Sequence, residues 1–143
     1  VYGLKGMLRA WGPGLVVVAG DFTVSATPAI TSIRPSRPGF TLNRFAAGVY
    51  GITLAQAFAS VVEAVVKTGP DTGITGSLPT ANPVAEMISQ GFLSSNTGGT
   101  AFAADATGTK LLITMTSAGS LAELPSNYRC SFAIVLAESQ VNR

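Results

Sequence analysis

Few side chains in this sequence are equipped for chemistry. There is no histidine and one cysteine, with seven carboxylates and nine Lys and Arg side chains. Without imidazole the chain lacks the usual general base, the usual zinc ligand and any Ser-His-Asp relay. The carboxylates, Asp21, Glu63, Asp71, Glu86, Asp105, Glu123 and Glu138, are spread one to a segment. A glycosidase needs two of them facing each other about 5–10 Å apart, and no local motif pairs any. Calcium loops need acids at alternating spacing, and none are so placed. Cys130 falls in phase with Phe132, Ile134 and Leu136, so a buried structural thiol is expected rather than a nucleophile. Gly98-Gly99 and Gly108-Thr109-Lys110 miss the phosphate-loop spacing, as no Gly-Lys pair occurs, and Gly69, Gly73 and Gly76 miss the dinucleotide spacing. The expectation is a protein without catalysis, cofactor or metal. A carbohydrate-active sandwich enzyme would require the fold itself to bring two carboxylates together.

The cations offer binding chemistry instead. Lys5 and Arg9 precede the first acid, and Arg34, Arg37 and Arg44 form a second basic stretch with no acid until Glu63. Net charge is only +2, and the bases form neither the clustered stripe nor the patch that nucleic acid requires. A basic face meeting an acidic protein surface and a merely solvated face both fit. Residues 1–14 read as an N-terminal arm, punctuated by Gly3, Gly6, Gly12, Pro13 and Gly14 and anchored by Tyr2, Leu4, Leu8 and Trp11. Trp and Arg together are what interface hot spots use; the plainer alternative is a first strand with Trp11 in the core.

Positioning these groups falls to short strands. Leu15–Ser25 is β-branched and alternating; Pro28 interrupts it and Ile30–Ile33 resumes it. Phe40-Thr41-Leu42-Asn43 and Val49-Tyr50-Gly51-Ile52-Thr53-Leu54 flank a short Gly-containing loop, which predicts a β-hairpin. Residues 54–68 satisfy both a helical stripe and an alternating pattern; the paired valines favour a strand over about 60–68. Residues 69–83 read as loop. The 84–93 stretch offers Met87, Ile88, Phe92 and Leu93 to the core, either as a strand or as a short helix capped at Asn82-Pro83, and 94–109 reads as an exposed loop or edge. Leu111–Ser117 and Tyr128–Ala137 alternate as two late strands. Seven to nine short strands separated by turns predict an all-β, single-domain β-sandwich or jelly roll over 15–143, with the arm over 1–14.

Composition agrees. A length of 143 residues suits one domain, and one cysteine permits no intrachain disulfide. Neither a signal peptide nor an apolar run long enough to span a membrane is evident. Charged residues make up 11% against a usual figure of about 25%. So little charge leaves two readings: a surface partly covered by partners, or a β domain coated with Ser, Thr and Gly.

Three segments carry a resemblance. Gly20-Asp21-Phe22-Thr23-Val24, then Pro38-Gly39-Phe40-Thr41-Leu42-Asn43-Arg44 with Gly48-Val49-Tyr50-Gly51-Ile52-Thr53-Leu54, then Ser131-Phe132-Ala133-Ile134-Val135-Leu136 resemble the strand-opening, hairpin and closing-strand patterns of tailed-bacteriophage capsid decoration (cement) proteins. The resemblance covers roughly residues 15–68 and 128–137. It implies a jelly-roll-like virion protein, made in the host cytoplasm and seated as a homotrimer on the outer surface of the head. It would bridge capsomers of the major capsid protein, without contact to nucleic acid or membrane. Tyr2, Lys5, Arg9, Trp11, Arg34, Arg37 and Arg44 are then the residues expected to face the capsid. The hairpin is also similar to C1q-like and fibre-tip modules, which implies a receptor- or glycan-binding domain using loops 69–83 and 94–109.

Overall fold

Alternating apolar and polar residues over short segments produce eleven strands and two packed sheets. The computed structural model describes residues 14–34, 39–70, 84–87, 91–96, 98 and 101–138. In chain order the strands are β1 (Leu15–Val24), β2 (Ile30–Arg34), β3 (Phe40–Ala46), β4 (Val49–Leu54), β5 (Ser60–Pro70) and β6 (Val84–Met87). They continue with β7 (Leu93–Ser95), β8 (Phe102–Ala104), β9 (Lys110–Ser117), β10 (Ser120–Leu121) and β11 (Tyr128–Ala137). Sheet A has the order β2-β1-β11-β5. Sheet B has the order β10-β9-β4-β3, with β6 on β9, and β7-β8 form a separate hairpin. All pairings are antiparallel. The chain crosses repeatedly between the sheets and returns β11 beside β1, which makes an all-β sandwich. The expected arm lies outside the described residues.

The core lies between the sheets. Sheet A contributes Phe22, Val24, Tyr128, Cys130, Phe132, Ile134 and Leu136; sheet B contributes Phe40, Tyr50, Ile52, Leu54, Leu111, Ile113 and Met115, all buried. Phe22 meets Tyr50 with ring centroids 5.2 Å apart, and Phe40 meets Phe132 edge-on at 5.3 Å. These contacts span the two sheets, so the alternation read along single strands becomes one shared interior.

The 40–54 hairpin forms as expected, with Ala47-Gly48 at its turn. Gly48 has φ +75, and a Cβ there would lie 2.7 Å from the carbonyl oxygens of both Met115 and Ala122. Met115 N–H donates to Gly48 O, while Met115 O accepts from Ala122 N–H. The hairpin tip and the exit from β10 therefore meet on one residue of β9. The 60–68 segment is a strand paired with β11, with one bulge at Val62. The 84–93 stretch contains strand β6 and no helix among its described residues; Phe92 packs against the core, and the Met87 and Ile88 side chains lie outside the described set. Within 94–109, expected as exposed loop or edge, the described residues include β8 and the end of β7, with Phe102 45% exposed.

Candidate functional site

The outward side of sheet A carries two of the exposed apolar side chains and several of the charged ones among the described residues. Residues of β1, β11 and β5 that point away from the core align in rows fixed by the strand register. Leu15, Ala137 and Ser60 form the first row; Val17, Val135 and Glu63 the second; Ala19, Ala133 and Val65 the third. Asp21, Ser131 and Lys67 form the fourth, and Thr23, Arg129 and Gly69 the fifth. Arg34 of β2 pairs with Asp21 and extends the fourth row to four strands. The face thus divides into an apolar half of three rows containing one acid, and a polar half dominated by cations.

The apolar half is exposed where it reaches β5, the edge of the described sheet. Val65 is 60% exposed and Val62 53%. Val62 sits at a bulge, where the register shifts between Val135 and Leu136, so it falls out of alternation and projects from the edge. Exposed β-branched residues at the edge of the described sheet form a surface open to protein contact.

The polar half is built around Asp21. Arg34 donates to it through both Nε (2.9 Å to Oδ1) and Nη2 (3.1 Å to Oδ2), and Arg129 Nη1 donates to the same Oδ1 at 2.5 Å. Such a two-pronged guanidinium contact is the directional form of an ion pair. Arg129 Nη1 also donates to Ser32 O at 3.1 Å. Ser32 has φ 47, a left-handed conformation at the bulge of β2 opposite β1. That strain aims the Ser32 carbonyl at Arg129. Across β11 the small Ser131 separates this cluster from Lys67, leaving a trough of about 310 Å³ whose rim includes Gly69 and Pro70.

Of the two described residues expected to face a partner, Arg34 belongs to this surface and Arg44 does not. Tyr2, Lys5, Arg9, Trp11 and Arg37 lie outside the described residues. Arg44 sits on β3, in sheet B, in phase with Phe40 and Leu42 on the core side. Its Nε and Nη2 donate to Glu123 Oε2 at 2.9 and 2.5 Å. The Tyr50 hydroxyl donates to Glu123 Oε1 and accepts from Leu124 N–H at 3.1 Å. Burial, reinforced by the Glu123 hydrogen bond, pushes the Tyr50 phenol well above its ordinary range. The Glu123 hydrogen bond raises Arg44 against the opposing effect of burial. Arg44 is thus an interior tie between the hairpin and the 122–125 connection, and the basic stretch of the sequence does not gather into one surface. Lys67 and Arg129, which sequence spacing did not single out, join Arg34 instead.

Two remaining groups hold structure. Burial pushes the Asp105 carboxyl up, but donation from the Thr107 hydroxyl and from the Thr109, Lys110 and Thr107 amides outweighs it and holds the group at about 2. Cys130 is buried as expected, and burial, with the Asp21 charge adding to it, pushes its thiol up to about 12. No group of His, Cys, Asp or Glu suited to a metal occurs among the described residues. The chemistry available on the outward side of sheet A is association through its apolar half and charge recognition through its cationic half. The chain matches no protein-family model, no curated protein and no solved structure.

Proposed function

We propose that this protein is a structural, non-enzymatic component of a phage head, associating with itself as a homotrimer and seated on the major capsid protein. The observation that carries the reading is the apolar half of the sheet A face, where Val62 and Val65 stand 53% and 60% exposed at the edge of the described sheet. A surface of this kind, on a chain with 11% charged residues, gains stability when a protein partner covers it. The resemblance of the β1, hairpin and β11 segments to head decoration proteins supplies the kind of partner. The physics of such a role is mass action: a protein that binds only the assembled shell stabilises that shell. Several equivalent contacts per oligomer raise avidity without any single strong one.

The test is a binding assay of the purified protein on mature, undecorated heads, followed by heating. Saturable binding in fixed ratio to the capsid protein, with a higher disruption temperature, is expected. Val65→Asp, which leaves the core untouched, is expected to lower both the oligomer mass measured by light scattering and the binding to heads. Absence of binding by the native chain, or a Val65→Asp variant that assembles and binds unchanged, would overturn the reading.

A further inference from the structure

We infer that the trough between the Asp21 cluster and Lys67 is a binding site for a small acidic saccharide, with its carboxylate on the cationic wall. The inference stands apart from the head-coating reading, which rests on the apolar half of the same face.

Charge is the first argument. Arg34, Arg129 and Lys67 line or border the trough, and Asp21 is the one carboxylate among its described neighbours. Both guanidiniums converge on that carboxylate, whereas Lys67, on the far side of Ser131, has no ion pair among the described residues. Asp21 therefore orients the two arginines, and the lysine charge stays available to a second anion. An ammonium beside a hydroxyl, here Ser131, donates to a carboxylate from two directions.

Shape is the second. The trough exists because a serine on the central strand lies between long side chains on both flanking strands. At its rim, β5 carries Gly69, where a Cβ would meet no atom of the described residues within 4 Å. Glycine inside a strand often marks a place where another group approaches the backbone closely. A volume of about 310 Å³ is at the small end of ligand sites. A space of this size admits more than a bare carboxylate. The rest of the ligand is a polar body, since the lining is charged groups, the Ser131 hydroxyl and backbone.

Preorganisation is the third. Arg129 is held by Asp21 Oδ1 and by the Ser32 carbonyl, and the latter points there only through a left-handed residue. Strain of this kind is a cost that folding tolerates where the held geometry is used.

The experiment is a titration of the isotope-labelled full chain with D-glucuronate, followed by amide chemical shifts, with D-glucose, acetate and inorganic phosphate as parallel arms. Glucuronate is expected to shift the Lys67, Gly69 and Ser131 amides saturably, while glucose leaves them unmoved and acetate and phosphate act more weakly. Lys67→Gln should weaken glucuronate binding about tenfold or more, the usual loss for one charge-assisted hydrogen bond. Gly69→Val should abolish it by filling the trough, and Leu121→Ser, at an exposed position of β10 in sheet B, should bind as the native chain does. Unchanged spectra with glucuronate, or equal responses to glucose or phosphate, would overturn the inference. So would a Lys67→Gln variant that folds, by its amide spectrum, and binds unchanged.

Discussion

Glu123→Ala tests whether the hairpin and the 122–125 connection are tied at one carboxylate. The substitution removes two guanidinium contacts from Arg44 and the hydrogen bond from Tyr50. Arg44 and Glu123 are 26% and 25% exposed, so their pair is partly screened and its loss is set at about 1.5 kcal/mol, the low end for charged hydrogen bonds. Tyr50 is fully buried, so losing its charged acceptor adds about 1.5–2 kcal/mol more. The expected total is about 3 kcal/mol, which for a domain of this size lowers Tm by roughly 10 °C. Urea titration of the native, Glu123→Ala, Tyr50→Phe and double variants measures the coupling. Because both single changes remove the same bond, the double variant should cost about 1–2 kcal/mol less than their sum. Tyr50→Phe leaves the Leu124 N–H without its acceptor, so it too destabilises. A Glu123→Ala variant within about 0.5 kcal/mol of native, the size of an ordinary surface change, or strict additivity, would refute the tie.

Three further outcomes follow from individual residues. Tyr128 is buried, and its hydroxyl has no hydrogen-bond partner among the described residues, so Tyr128→Phe should be neutral or stabilising by up to about 1 kcal/mol in urea titration; a clear loss would mean that the hydroxyl is satisfied. Ala118 adopts φ 51 before Gly119 at φ 81, in the two-residue turn joining β9 to β10. Such a turn favours Asn-Gly, so Ala118→Asn should raise stability by about 0.5–1 kcal/mol; a lower Tm would count against the turn geometry. Asp105 is held at about 2 against an ordinary 3.8. A depressed carboxyl contributes fully above its unfolded pKa, so its contribution, about 1 kcal/mol after allowance for solvent screening, should disappear as pH falls from about 4 to about 2. Asp105→Asn should flatten that part of the acid stability curve, and an unchanged acid limb would refute the assignment.

The fold was legible wherever alternation was clean. The 40–54 segment reads as a hairpin because Phe40, Leu42, Tyr50, Ile52 and Leu54 recur every second residue, and these are the residues buried or packed against the core. The 60–68 segment looked partly helical for a definite reason. A bulge at Val62 puts two valines side by side and shifts the phase of the strand, and doubled apolar residues are also what a helical stripe produces. Strands β7 and β8 left little trace, being three residues each and made largely of Ser and Ala. Arg44 was grouped with Arg34 and Arg37 by proximity in the chain, although its two-residue phase with Leu42 and Phe40 already pointed it inward. The cationic trough had no such signal. Arg34, Lys67 and Arg129 lie far apart in sequence, and only the β1–β11–β5 register makes them neighbours.

The scarcity of charge gains a physical meaning from where the charges go. Glu123 and Arg44 tie one end of the sandwich from the core side of β3, and Asp105 fastens the loop that leads into β9. Asp21 fixes two arginines at one end of sheet A. Each of these acids takes several donors, so ionic groups are spent on geometry. The consequence falls on the outward side of sheet A, where three consecutive rows contain Glu63 as their one charge. A β-sandwich that distributed its acids evenly would break such a surface, since a charge directly opposite an apolar neighbour must be desolvated before any partner can cover the pair. Here the two halves stay separate, so covering the apolar rows does not require burying Arg34, Lys67 or Arg129. That separation allows one sheet to serve protein association at one end and anion recognition at the other. It is also why Lys67→Gln is expected to fail in the anion assay while passing the association assay.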